Sequence, residues 1–207
     1  MNEATDLWLV RHGHALHHQT DQLQWDEVPL SRAGREQAVR LAARFSRLYD
    51  VAALYSSPLP RAWDTAVPIA RALALEPIPL ADLREISFGQ AGGMTDEEFQ
   101  RHWPELARQW ANPDDLSFRW PGGESRSEFR ERSVQVMDAL VWSHPGQRIV
   151  VVAHTGILCG YLAHLFLGDA GLWRQMLLRP ASVSRVAVGA GEPRLLLQDD
   201  VEHLDGL

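Results

Sequence analysis

Arg11-His12-Gly13 follows directly on the apolar run Leu7-Trp8-Leu9-Val10, and His154 follows directly on Ile149-Val150-Val151-Val152-Ala153. A third run, Val51-Ala52-Ala53-Leu54-Tyr55, is followed by a polar stretch from Ser56 to Arg61. Each run reads as a buried strand whose C-terminal end opens into a loop. Two histidines and two arginines at such strand ends make a coherent anion pocket. Arginine's planar fork suits phosphate oxygens, and its charge cannot be titrated away. Arg11 and Arg61 would hold a phosphoryl group and offset the charge that grows on its equatorial oxygens. An imidazole among these cations has its pKa depressed, which leaves a nitrogen lone pair free to attack. The leaving oxygen then needs a proton, and a partly buried carboxyl with a raised pKa is suited to give it. Glu85, in Leu83-Arg84-Glu85-Ile86-Ser87-Phe88-Gly89, is the candidate acid.

Composition narrows the alternatives. The chain has 207 residues, 45% of them hydrophobic, which favours one domain over 1–207 with a full core. Its 20 basic residues are all arginines, so lysine-based Schiff-base catalysis and the Walker-type phosphate loop are excluded. The net charge of −7 argues against nucleic acid or an anionic membrane as the main partner. One cysteine, Cys159, allows no internal disulfide and no cysteine-rich zinc site. The first residues carry no export signal and no apolar run is long enough to span a bilayer, so a cytoplasmic protein is expected. There is no GxSxG elbow, no HExxH helix and no GxGxxG loop.

The elements that must position these residues are also legible. Ser31 is a plausible N-cap for a helix to about Tyr49, with Ala38, Leu41, Ala42, Phe45 and Leu48 at helical spacing. A second helix runs from about Pro58 to Leu73, and a third from about Ile157 to Leu167. Thr95 with Glu98, and Ser125 with Glu128, match the capping box that starts helices. Ser182 to Val188 and Arg194 to Leu197 read as two closing strands, and Asp199 to Asp205 as a solvated acidic tail. Strands and helices alternating in this way predict an α/β domain with a largely parallel sheet, whose ligands sit beyond the C-terminal strand ends.

The ordered segments resemble the histidine phosphatase (phosphoglycerate mutase-like) superfamily. Leu9-Val10-Arg11-His12-Gly13 is similar to its signature, and Pro29-Leu30-Ser31 with Gly34 and Gln37-Ala38 to the start of its first helix. Tyr55 to Leu59 through Arg61-Ala62 and Thr65-Ala66 resembles the second phosphate-binding segment, and Leu83 to Gly89 the stretch with the acid glutamate. Pro121-Gly122-Gly123-Glu124-Ser125 and Val152-Ala153-His154-Thr155-Gly156 complete the order. The resemblance implies a three-layer α/β/α sandwich with a mostly parallel sheet and one antiparallel strand. It implies that His12 is the phospho-acceptor and Glu85 the proton donor. Arg11, Arg61, His154 and the backbone amide of Thr155 would surround the phosphoryl group of a small phosphorylated substrate. The family's reaction needs no metal or other cofactor. The region 89–121 would be a helical subregion over the active site.

The sequence also departs from the family. His14 stands where glutamate is common, His18 where many members place an asparagine near the phosphate, and Ala91-Gly92 where Glu-Gly often follows the acid segment. His14 and His18 are expected to line the pocket mouth. Only 32 residues separate Gly89 from Gly122, a shorter segment than in the cofactor-dependent mutases. The expectation is therefore a phosphomonoesterase acting through phosphohistidine. The alternatives are mutase-type phosphoryl transfer and a phosphate-binding module with little catalysis. A competing reading takes His12-Gly13-His14 as two zinc ligands at strand-end spacing. Trp103, Trp110 and Trp120 either wall the site or pack the subregion.

Overall fold

The apolar runs become the strands β1 (Thr5–Arg11), β2 (Val51–Ser56), β3 (Pro77–Pro79), β4 (Arg148–Ala153), β5 (Val183–Val188) and β6 (Arg194–Asp200). The helices are α1 (Arg32–Phe45), α2 (Pro60–Ala72), α3 (Asp96–His102), α4 (Pro104–Ala111), α5 (Arg126–Ser143) and α6 (Thr155–Leu167). This computed structural model describes residues 3–113 and 115–206; Met1, Asn2, Asp114 and Leu207, which the expected 1–207 span includes, lie outside the described residues.

The strands form one sheet in the order β3-β2-β4-β1-β5-β6. β3, β2, β4 and β1 are mutually parallel, and β5 runs antiparallel to both of its neighbours. The mostly parallel sheet with one reversed strand is thus as expected. Because β1 and β4 are covered on both faces, their stretches 7–10 and 149–153 are continuously apolar rather than alternating. Val10, Leu54, Val150 and Val152 pack with Leu41, Phe45, Ala66 and Ile69 of α1 and α2. Leu7, Leu9, Ile149 and Val151 pack on the other face with Met137, Val141, Leu158 and Leu162 of α5 and α6. These are the three layers. A separate small core, with Ala91, Phe99, Phe118 and Trp120 at its centre, holds α3, α4 and the strap that precedes α5.

Local sequence accounts for the helix starts. Ser31 Oγ accepts from Gly34 N at 3.1 Å, and both predicted capping boxes form, at Thr95 and at Ser125. Gly34 also lets the loop after β1 rest on the start of α1: a Cβ there would lie 2.0 Å from the His14 carbonyl oxygen. The acidic tail is not simply solvated. Asp199 and Asp200 belong to β6 and pair with Arg179 and Arg44. Among the described residues no single helix is long and apolar enough to cross a membrane.

Candidate active site

Strand register brings the distant motifs together. β4 lies between β1 and β2, with Arg11 opposite Ala153 and Ser56 opposite Val152. The residues that follow, His12, His154 and Ser57, therefore leave three adjacent strand ends on the same side of the sheet. His12 N donates to Ala153 O and Ser57 N to Val152 O, both at 3.0 Å, so the ladder continues one step into the site. The two imidazoles stand with ring centroids 5.1 Å apart.

Hydrogen bonding fixes the roles of the ring nitrogens. His12 is 2% exposed, and its Nδ1 lies 2.7 Å from the Gly13 carbonyl oxygen. A carbonyl can only accept, so Nδ1 carries the proton and the lone pair sits on Nε2. Burial is the main cause that holds the His12 pKa well below the usual histidine value, with His154, Arg61 and Arg11 adding to it. His154 is likewise depressed, first by burial and then by Arg61 and Arg11. Its Nε2 lies 2.8 Å from Ser57 Oγ.

Arg11 and Arg61 reach the site from different elements, β1 and α2. Arg11, the last residue of β1, donates from Nη1 to Leu178 O at 2.5 Å. Arg61 is 1% exposed at the start of α2 and donates to the carbonyls of Trp25 and Asp26 at 3.2 and 3.3 Å. An ordinary surface role for Arg61 is thereby ruled out. His18 stacks on His12 at 5.8 Å, with burial and Arg11 holding its pKa down at about 4. Ala15 N donates to His18 Nδ1 at 3.0 Å, which uses the one acceptor of a neutral imidazole. The ring proton is then on Nε2, 3.0 Å from Arg11 Nη2. Two donors aimed at each other fit an anion's oxygen better than they fit one another.

Other buried polar atoms point the same way. Arg11 Nε, Arg61 Nε, His17 Nδ1 and His154 Nδ1 are buried without a hydrogen-bond partner among the described residues. Buried polar groups are almost always bonded, so four exceptions in one cluster fit the several acceptor oxygens of a phosphoryl group. The arrangement does not fit zinc. His12 and His14 commit their Nδ1 atoms to Gly13 O and Ser31 Oγ, and no group of three ligating side chains converges among the described residues.

Glu85 approaches from the start of α6. Its carboxylate accepts from Gly156 N at 2.9 Å and Ile86 N at 3.0 Å. Burial nevertheless raises its pKa, against the lowering effect of those bonds and of Arg61 and Arg11. Thr155 opens the same helix, whose N-terminal amides and dipole favour negative charge. Gly156 is what lets the carboxylate in: a Cβ there would sit 2.3 Å from Glu85 Oε1 and 2.7 Å from the Phe129 ring. Gly156→Ala is expected to destabilise the fold by about 1–3 kcal/mol through overpacking. Chemical denaturation midpoints of the two proteins check this.

All seven candidate residues lie in or beside this cluster. His14 does less than expected at the pocket mouth, since its ring is tied to the N-cap of α1. Ala91 is fully buried in the small helical core. Trp120 and Trp103 pack that core, whereas Trp110 packs it and also lines a cavity beside Glu85. Sequence reasoning missed Ser57, His17 and the carbonyls of Trp25 and Asp26. His17 belonged to a visible histidine cluster; backbone carbonyls have no residue signature.

Comparison with known proteins shows the family and the fold. The model of the histidine phosphatase superfamily (branch 1) matches residues 7–201. A bifunctional protein of Mycobacterium tuberculosis is 35% identical over 198 residues, which are 94% of this chain and 54% of that protein. The chain thus spans about half the length of the first curated relatives it matches. A metal-independent phosphoserine phosphatase of Arabidopsis thaliana is 34% identical over 160 residues, 76% of this chain and 67% of that protein. The solved structure of a mycobacterial glucosyl-3-phosphoglycerate phosphatase is 26% identical with a TM-score of 0.80, covering 96% of this chain and 100% of that one. Matched along nearly its whole length and closely similar in fold to solved phosphatases, the chain belongs to branch 1 of the histidine phosphatase superfamily.

Proposed function

We propose that this protein hydrolyses phosphomonoesters of small metabolites through a phosphohistidine at His12, with no metal. The observation that carries the reading is the His12 Nε2 lone pair, fixed by the Nδ1 bond to Gly13 O and surrounded by Arg11, Arg61 and His154. Relatives named as phosphoserine phosphatases support hydrolysis as the reaction.

In the first step Nε2 attacks phosphorus, the P–N bond forms and the P–O bond to the alcohol breaks. Glu85, whose pKa burial raises, gives its proton to the departing alkoxide. Arg11 and Arg61 offset the charge on the equatorial oxygens. Ser57 donates its hydroxyl proton to His154 Nε2, so that His154 Nδ1–H becomes a further donor to phosphate, together with His18 Nε2–H and the Thr155 amide. In the second step water attacks the phosphohistidine and the Glu85 carboxylate takes its proton. Inorganic phosphate leaves, and His12 and Glu85 return to their starting states. The helical subregion 89–121 supplies one wall of the cavity beside Glu85, through Trp110 and Pro113.

Hydrolysis of 4-nitrophenyl and benzyl phosphate in excess EDTA tests the reading. One phosphate and one alcohol are expected per ester consumed, at a rate the chelator does not change. Loss of activity in EDTA would overturn the metal-free mechanism, and phosphoryl transfer between phosphoglycerates without net hydrolysis would replace it with the mutase reaction.

A further inference from the structure

A cavity of about 230 Å³ opens beside Glu85, Thr155 and Gly156, on the side where the ester's alcohol must leave. It rests on the hydrolytic reading above, because that reading fixes which end of the substrate enters it. Its walls are Ile86, Phe88, Trp110, Phe129 and Trp173, with Pro113 and Ala170 between them. Such surfaces gain by covering flat apolar groups.

The charges around the cavity are one-sided. Arg126, Arg130 and Arg174 line it, and Glu85 is the one carboxyl group on its wall among the described residues. Arg126 is occupied: its guanidinium donates to the carbonyls of Trp110, Asn112 and Asp115 and lies over the Trp110 and Phe118 rings. Arg130 and Arg174 differ, since neither forms an ion pair with a carboxylate among the described residues. Arg130 lies against the backbone of Gly171, and Arg174 stacks on Trp173 with its guanidinium carbon 4.5 Å from the ring centroid. Both heads are thus oriented by packing rather than by an acid. An ammonium group on the substrate would meet two cations and no free carboxylate, because Glu85 is buried against Gly156 and Ile86.

We infer that the substrate's alcohol is a flat apolar group bearing a second anion, which Arg130 and Arg174 receive, and that amino alcohols without a carboxylate, such as ethanolamine, are disfavoured. The second anion is a carboxylate or a further phosphate; both use the same fork-like donors.

Isothermal titration with three stable phosphonates tests this without relying on turnover: 4-carboxybenzyl-, benzyl- and 4-(aminomethyl)benzylphosphonate. The carboxylate compound is expected to bind about tenfold tighter than the unsubstituted one. The ammonium compound should bind more weakly than either. In the double variant Arg130→Gln/Arg174→Gln the carboxylate preference should fall to within about twofold, with benzylphosphonate affinity unchanged. Equal binding of all three, no binding of any, or a preference that survives in the double variant would overturn the inference. Hydrolysis of the corresponding phosphates is measured in parallel. Selective binding without hydrolysis would uphold this inference and sink the proposed activity, whereas hydrolysis without selectivity would do the reverse.

Discussion

His12→Ala is expected to lose phosphatase activity by at least about 10³-fold toward every ester, because it removes the nucleophile rather than a contact to one substrate. The loss should fall on kcat, since the proposed phosphate contacts of Arg11, Arg61 and the start of α6 are left in place. The substitution also deletes a buried ring that meets His154 and His18 at centroid distances of 5.1 and 5.8 Å. His12→Asn, which keeps most of the ring's volume and polarity, separates chemistry from folding: it should be equally inactive with a near wild-type melting temperature. Steady-state kinetics beside circular-dichroism melts would decide. Residual turnover within tenfold of wild type in either folded variant would remove His12 from the reaction.

Glu85→Gln is the second large effect, and its size depends on the leaving group. For an alkyl phosphate the departing alkoxide needs a proton, so kcat/KM should fall by about 10²–10⁴-fold. For 4-nitrophenyl phosphate the phenolate departs without help, and the first step should be little changed. Gly156 N and Ile86 N bond different carboxylate oxygens, so glutamine keeps the acceptor for one of them, and a thermal melt beside the kinetics reads the cost to the fold. The pH profile gives an independent sign. Burial raises the Glu85 pKa above the ordinary glutamate value, so the active acid form is present at low pH and is lost as pH rises through the raised value. Wild-type kcat/KM for an alkyl phosphate should accordingly fall on that alkaline limb, and in Glu85→Gln the limb should disappear. Equal losses for alkyl and aryl esters would assign Glu85 a structural role instead.

How far the sequence carries these expectations depends on where each residue sits. His12 and His154 were legible because each ends an apolar run, and parallel strands covered on both faces have few other places to put a polar side chain. Arg61 carried a weaker signal, since it stands on a helix like Arg71, and only the packing of the Gln24–Asp26 loop over α2 buries it. A strand ahead of Glu85 is expected from the sequence without bounds, and β3 fills that place. Its three residues include Pro77 and Pro79, which read as strand breakers, but β3 is an edge strand where a missing N–H costs little. The cavity beside Glu85 was equally hidden, because Phe88, Trp110, Phe129 and Trp173 come from four separate parts of the chain. Their meeting is a tertiary event that no local periodicity encodes. The aromatic subregion shows the same limit: three tryptophans of one weakly patterned stretch divide into two that pack and one that also faces the cavity.

The covalent intermediate is the centre of the proposed mechanism. Wild-type protein mixed with a 4-nitrophenyl ester carrying labelled phosphate, quenched in alkali within single turnovers and digested, gives the site of phosphorylation directly. Label should form on the peptide containing His12 at least as fast as turnover, and decay to inorganic phosphate. Steady turnover with no label at His12, or label on another residue, would show that water or a different nucleophile attacks phosphorus.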